Sequence, residues 1–130
     1  MHPSRTVSVS IDCDPGKVYG IVADPENLPS WARGLGRSVR KSDAGWIVET
    51  PQGPMAIRFV PKNDLGVLDH VVSPAPGDEV YVPMRVVPNG SGSQVLVTIF
   101  QPPDMSDEQF AEDARLVERD LQALKTILER

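Results

Sequence analysis

The sequence predicts an α+β fold in which an antiparallel sheet of about seven strands curves around one long C-terminal helix. The first supporting observation is a stripe of apolar residues at helical spacing near the end of the chain. The second is a series of short segments before it, in which apolar and polar residues alternate. An antiparallel sheet must cover one of its faces, and only the C-terminal helix is long enough to do so.

The C-terminal helix is predicted over Ser106–Arg130. Ser106 occupies the N-cap position and Gln109, three residues later, is placed to close a capping box. At about 1.5 Å per residue the helix is roughly 35 Å long, so it must lie across a surface of similar length. Its apolar stripe consists of Phe110, Ala114, Val117, Leu121, Leu124 and Leu128.

The N-terminal part predicts one strand followed by two short helices. Thr6–Ile11 alternates apolar and polar residues, as a half-buried strand does. Asp14-Pro15 then supplies an N-cap and a proline for the first helical turn, and Asp24-Pro25 repeats that signal. The two short helices are therefore expected to separate at the second pair, with Trp31 at the end of the second helix.

About six further strands are predicted between these helices and the C-terminal one. Their connections are short, and Asn89-Gly90-Ser91-Gly92 is a strong hairpin signal, so the strands are expected to form an antiparallel meander. The predicted strands are Ser38–Lys41, Trp46–Thr50, Met55–Val60, Leu65–Ser73, Glu79–Val87 and Gln94–Phe100.

The length of 130 residues predicts one domain, residues 1–130, that belongs to the class of soluble globular proteins. The net charge of −5 argues against nucleic acid or an anionic membrane as the main partner. No apolar run is long enough to enter a bilayer, and the N-terminus lacks an apolar signal segment, so a cytoplasmic protein is expected. The single cysteine, Cys13, excludes an internal disulfide framework. No metal site or cofactor is predicted, and a monomer or a homodimer is expected.

Four segments carry a resemblance to a known superfamily: Val18–Trp31, Leu65–His70, Pro83–Val86 and Asp120–Lys125. Together they resemble one bacterial branch of the SRPBCC proteins, the START-like and polyketide cyclase/dehydrase-like proteins of helix-grip fold. The resemblance covers essentially the whole chain and implies that fold, but it implies no single activity, because lipid carriers, cyclases, co-chaperone domains and oxygenase domains share it.

The oxygenase members of that superfamily hold iron with two histidines and a carboxylate. The sequence contains two histidines, His2 and His70, and His2 lies at the terminus. The resemblance therefore does not imply an iron site in this chain.

His70 is the candidate for chemistry. Alternation along a strand places Asp69 and His70 on opposite faces, so the two residues are not expected to form a dyad. Leu68, His70 and Val72 would share one face. If that face is concave, His70 is a lone polar group in an apolar cavity, able to bind a ligand or to act as an acid/base. The alternative is a core or rim histidine bonded to a backbone carbonyl or a tyrosine.

Arg85 is predicted to point away from the apolar face formed by Val82, Met84 and Val86. Asp69 and the neighbours of Arg58 across the sheet are the candidate partners, in an exposed pair worth less than about 1 kcal/mol. A role at the mouth of the cavity is the alternative. A separate basic cluster is interpreted as a solvated edge, with binding of phosphate or an acidic ligand as the alternative. This cluster consists of Arg33, Arg37, Arg40 and Lys41.

The leading functional hypothesis is binding of a small, largely apolar molecule (lipid, polyketide or aromatic) in a cavity between the sheet and the C-terminal helix. The candidate lining residues are Trp31, Trp46, Ile57, Phe59, His70, Met84, Phe110, Ala114 and Val117.

Two alternatives remain open. A cyclase or dehydrase that uses His70 as acid/base requires a second polar group across the cavity, for which Tyr19, Tyr81 and Glu49 are candidates. A protein-interaction module requires a core filled by side chains and an exposed apolar patch on the convex face, near Tyr81, Val87 or Val60.

Overall fold

The computed structural model describes residues 1–32, 38–43, 45–51 and 53–130. Within these ranges eight strands and three α-helices form, and a 3₁₀ turn, Pro25–Asn27, precedes the second helix. In chain order the elements are β1 Ser4–Ile11, α1 Pro15–Val22, α2 Leu28–Trp31, β2 Ser38–Ser42, β3 Gly45–Thr50, β4 Gly53–Phe59, β5 His70–Ala75, β6 Asp78–Val82, β7 Met84–Asn89, β8 Gly92–Phe100 and α3 Asp107–Leu128.

The strands pair antiparallel in two sheets, with the orders β1-β8-β7 and β2-β3-β4-β5-β6. The chain just before β5 links the two sheets, because Leu68 N donates to Met84 O and Val86 N donates to Gly66 O, each at 2.9 Å. The predicted α+β fold, antiparallel sheet and long C-terminal helix are confirmed.

The described residues contain eight strands, not about seven, because the predicted strand Glu79–Val87 divides at Pro83 into β6 and β7. Proline has no N–H to donate, so it interrupts a ladder of hydrogen bonds. The carbonyl of Pro83 still accepts from Thr98 N, at 3.0 Å. Since β6 pairs with β5 and β7 pairs with β8, the chain passes from one sheet to the other at this proline.

The start of β5 also differs from the prediction. The predicted strand Leu65–Ser73 begins only at His70, because Asn63 folds the preceding residues into a turn. Asn63 Oδ1 accepts from Leu65 N and Val67 N, both at 3.0 Å, and its Nδ2 donates to Val67 O at 2.9 Å. An asparagine side chain can replace strand hydrogen bonds in this way. His70 is therefore the first residue of its strand.

The helix starts follow the predicted capping residues. Asp14 accepts from Gly16 N at 2.9 Å at the start of α1, and Ser106 accepts from Gln109 N at 3.1 Å at the start of α3. The capping box is half formed in the described structure, because the side-chain amide of Gln109 donates to Asp113 instead, at 2.8 Å.

The helix α3 packs mainly against β1, α2 and β8. Its residues Leu121, Leu124 and Leu128 enter a core that also contains Val18 of α1 and Val95 of β8. None of the helices in the described ranges is long and apolar enough to cross a membrane.

Candidate functional site

A cavity of about 650 Å³ lies between the five-stranded sheet and α3. β4 and β5 contribute alternate residues, because every second side chain of a strand points to the same face. They are Met55, Ile57, Phe59, His70, Val72 and Pro74, and the edge strand β6 adds the consecutive residues Glu79, Val80, Tyr81 and Val82.

One flank of α3 forms the opposite wall of the cavity, and α2 with the residue after it contributes Leu28, Trp31 and Ala32. The α3 residues that line it are Asp113, Leu116, Val117, Asp120 and Leu121. Most of the lining is therefore hydrocarbon, with a small number of polar groups among it.

The structure brings most of the predicted lining residues together around this cavity: Trp31, Ile57, Phe59, His70, Met84 and Val117. It places Trp46, Phe110 and Ala114 elsewhere. Trp46 lies on β3, one strand beyond those that line the cavity, although it pairs directly with Ile57. Ala114 is 1% exposed and Phe110 is half-buried in the first turns of α3, and neither reaches the cavity.

The position of Ala114 follows from how α3 is rotated. The apolar stripe of α3 packs into the core next to β1 and β8, while the flank beside the stripe faces the cavity. Val117 and Leu121 lie at the boundary between these two surfaces of α3, and each contacts both the core and the cavity. The apolar stripe alone does not predict this rotation. It identifies the buried face of the helix but does not show which part of that face contacts the core and which part contacts the cavity.

His70 has one ring nitrogen fixed by the protein. Nδ1 lies 3.0 Å from Leu68 O, and a carbonyl oxygen can only accept, so Nδ1 carries the proton and donates. The ring also packs against Phe59, with centroids 4.9 Å apart and a 38° tilt. Burial lowers the pKa of His70 and outweighs the opposing effects of the Leu68 bond and the Asp69 charge. The ring is therefore neutral at pH 7, and Nε2 is an acceptor.

Nε2 of His70 has no partner among the described residues. It is also not one of the fully buried polar atoms that lack a partner, so its free surface opens into the cavity that His70 lines. His70 thus presents a single unpaired acceptor to any molecule in the cavity.

Asp69 points to the other face of the sheet, as alternation predicted. Its carboxylate accepts from Tyr81 Oη at 2.5 Å, from Met84 N at 2.8 Å and from the guanidinium of Arg85. The predicted pairing with Arg85 is confirmed. The pair is not exposed, however, because the Asp69 side chain is only 7% exposed while that of Arg85 is 45% exposed.

Trp31 carries a second unpaired polar atom. Its side chain is nearly buried, at 6% exposure, and lines the cavity, but its indole Nε1 has no acceptor in the described part of the chain. A buried donor without a partner destabilises a fold by about 1–3 kcal/mol. Buried polar groups of folded proteins are nearly always hydrogen-bonded, so this donor is an exception.

The residues considered as partners of His70 form hydrogen bonds with other residues. Tyr19 Oη accepts from Asn63 N at 3.0 Å, Tyr81 donates to Asp69, and Glu49 pairs with Arg40 at 3.4 Å.

The exposed Arg40 and Lys41 belong to the predicted basic cluster, whose other members, Arg33 and Arg37, lie outside the described residues.

Glu79 of β6 lines the cavity, and so do two carboxylates of α3, Asp113 and Asp120; sequence reasoning missed all three. The spacing of the two α3 carboxylates contained the signal: Asp113, Val117 and Asp120 lie at i, i+4 and i+7, on one flank of the helix. Asp113 accepts from Gln109 Nε2 at 2.8 Å. In the described ranges no three residues of His, Cys, Asp or Glu cluster closely enough to hold a metal ion.

Comparison with known proteins rests on solved structures, since no family model and no curated protein matches the chain. A START superfamily protein from Mycobacterium smegmatis superposes with a TM-score of 0.69 at 14% identity, covering 99% of this chain and 98% of that one. Ara h 8.0201 superposes with a TM-score of 0.74 at 13% identity, covering 98% of both chains. The chain has the START-like helix-grip fold. The protein XoxI from Bacillus cereus shares it, with a TM-score of 0.76 at 19% identity over 96% of this chain and 94% of that one.

These identities show the helix-grip fold alone. A fold does not by itself assign a role, so any role must be argued from the residues of this cavity.

Proposed function

We propose that the protein binds a small, largely apolar molecule (a lipid, a polyketide or an aromatic compound) in the cavity between the five-stranded sheet and α3. The observation that carries the proposal is the cavity of about 650 Å³, lined mainly by aliphatic and aromatic side chains. Ligand pockets are typically about 300–1,000 Å³ with apolar walls and few polar groups.

The size of the cavity favours a binding site over a packing defect. Protein interiors pack as closely as organic crystals and contain few voids larger than a water molecule. The core on the other side of α3 follows this rule, since Val18, Val22, Val95 and Leu124 are completely buried there. The cavity therefore lies beside a closely packed core.

The proposal is tested with a neutral fluorescent probe, N-phenyl-1-naphthylamine, and one filled variant. Val117→Trp places a larger side chain in the cavity and should weaken probe binding at least about tenfold, while saturation of the wild-type protein should raise its melting temperature. Glu118→Trp adds the same side chain on the exposed face of α3 and should leave binding unchanged. Equal affinity for the probe in both variants would contradict the proposal.

The second candidate function is a cyclase or dehydrase type of enzyme, and it is favoured by one observation. His70 is neutral and presents Nε2 as an acceptor in the cavity, which is the state a general base requires. Asp113 and Asp120 line the facing wall. Turnover of candidate polyketide substrates should then fall at least about a hundredfold in His70→Ala, and unchanged turnover would exclude this function.

The interaction-module hypothesis has less support. Tyr81 and Val87 are exposed and Val60 is half-buried, as that hypothesis requires. It also requires a core filled by side chains, and the cavity of about 650 Å³ argues against that.

A further inference from the structure

The chemistry of the cavity narrows the class of ligand beyond "apolar". We infer that the ligand carries a neutral hydroxyl or phenol group that donates a hydrogen bond to Nε2 of His70. This inference rests on the proposed function, because it specifies what the same cavity binds. His70 is thus the residue that selects among apolar molecules of similar shape.

The first step of the argument is the fixed direction of the ring. Nδ1–H donates to Leu68 O at 3.0 Å, and Phe59 packs against the ring face. Because the carbonyl holds the proton on Nδ1, Nε2 keeps its lone pair. The acceptor is therefore preorganised in the cavity of the free protein.

The second step is that Nε2 has no partner of its own. No described residue bonds to it, and the carboxylate of the adjacent residue, Asp69, points to the opposite face with Tyr81, Met84 and Arg85 as donors. In the free protein water can satisfy Nε2. A ligand that fills the cavity displaces that water and must replace its hydrogen bond.

The third step is the discrimination that follows. A site with a buried acceptor discriminates against analogues that lack the matching donor, because the acceptor is then left unpaired. An ether offers only lone pairs, and so does a carboxylate. A carboxylate could pair with an imidazolium, but burial of His70 disfavours that charged form. A cationic donor at Nε2 would be desolvated beside Phe59 and Val82, the neighbours of His70, because the carboxylates of Asp113 and Asp120 lie on the facing wall.

The inference is tested with three probes that share one ring system: 2-naphthol, 2-methoxynaphthalene and 2-naphthoate. The wild-type protein should bind the naphthol at least about tenfold more tightly than the other two. His70→Phe removes the acceptor and keeps a ring against Phe59. It should therefore weaken naphthol binding about tenfold and leave the affinity for 2-methoxynaphthalene unchanged. Gln122→Ala changes an exposed polar side chain of α3 that does not line the cavity, and should retain the preference.

A second readout does not depend on the folding of a variant. The ¹⁵N resonance of His70 Nε2 should shift when the naphthol binds and should not shift with the ether. Equal binding of naphthol and ether by the wild-type protein, or an equal loss of both in His70→Phe, would overturn the inference and leave the binding function standing. Failure of the wild-type protein to bind any of the three probes would count against both.

Discussion

Asp69 is a charged side chain buried inside the fold, and its ionised form is stabilised by the hydrogen-bond donors around it. Burial raises the pKa of its carboxyl group, but the hydroxyl of Tyr81, the amide of Met84 and the charge of Arg85 outweigh burial and lower that pKa overall. The three donors come from β6 and β7, on either side of Pro83. Asp69 therefore holds together the place where the chain passes between the two sheets.

Replacing Asp69 by Asn should lower the free energy of unfolding by about 1–3 kcal/mol at pH 7, because the buried donors lose a charged acceptor. Urea unfolding measures the change. The control is Glu79→Gln, which removes one partner of the exposed Arg58–Glu79 pair and should cost less than about 1 kcal/mol.

The effect of Asp69→Asn should also depend on pH in a defined direction. Since the folded-state pKa lies below the ordinary value of 3.8, the contribution of Asp69 is present above that pH and disappears as the pH falls through the folded-state pKa. The difference between wild type and variant should be constant from pH 7 to about pH 5. A difference that vanished already near pH 6 would contradict this account.

The buried state of His70 predicts a second pH dependence of stability, in a different pH range. Its folded-state pKa lies below the ordinary value of 6.5, so the unfolded chain binds the proton first as the pH falls. The wild-type protein should lose stability below pH 6.5, down to the folded-state pKa. His70→Phe should lack this loss and Gln122→Ala, a change at an exposed position of α3, should retain it, as measured by urea unfolding at a series of pH values. Identical pH profiles for all three proteins would refute the neutral, buried state of His70.

For single residues, the sequence predicted which neighbours share a face, because alternation is a local property, but it left open which face of Leu65–Ser73 and of Gln94–Phe100 points into the cavity. It separated Asp69 from His70 and turned Arg85 outward, both in agreement with the structure. The depth of Asp69 and its bond to Tyr81 could not be predicted, since they depend on how strands twelve residues apart pack.

Among the elements, α3 has two surfaces with different energetic roles. Leu124 is completely buried in the core, whereas Leu116 is half-buried and lines the cavity. Leu124→Ala should lower the free energy of unfolding by about 2–5 kcal/mol, because it leaves a void in close-packed surroundings. Leu116→Ala enlarges an existing cavity and should cost less than about 1.5 kcal/mol. Similar losses in the two variants, measured by thermal unfolding, would mean that α3 is rotated differently.

The turn before β5 makes a separate prediction. Gly66 has φ +74° and an added Cβ would overlap the carbonyl oxygen of Val86, whereas Gly77 has φ +86° and open space around it. Gly66→Ala should therefore destabilise the protein by roughly 3 kcal/mol or more, and Gly77→Ala by about 1–2 kcal/mol. Chemical denaturation of both variants measures this. Equal losses would show that backbone conformation alone, and not the contact with Val86, matters at Gly66.

Most elements were predictable from periodicity and capping residues, and the two exceptions have local causes. Pro83 lies in a continuous run of strand-forming residues, and only the loss of its N–H shows that one strand is two. Asn63 delays the start of β5 by bonding to its own neighbours, a competition that alternation does not reveal.

For the whole molecule, two sheets and one helix account for both the core and the cavity. Fold class followed from the change of period, from two in the strands to 3.6 in the last helix. The volume of the cavity did not, because it depends on the distance between α3 and the five-stranded sheet. The same limit explains why Asp113 and Asp120 were overlooked: their role depends on the rotation of α3, which the apolar stripe defines only approximately.

The measurement that tests the central claim most directly is native mass spectrometry of the protein purified from its own host, with extraction and identification of any bound molecule. The account predicts one bound small molecule, largely apolar and with a hydroxyl or phenol group, that is present in the wild-type protein and absent from Val117→Trp. A protein of bare mass, which also gains no thermal stability from a library of lipids, polyketides and aromatic compounds, would contradict it.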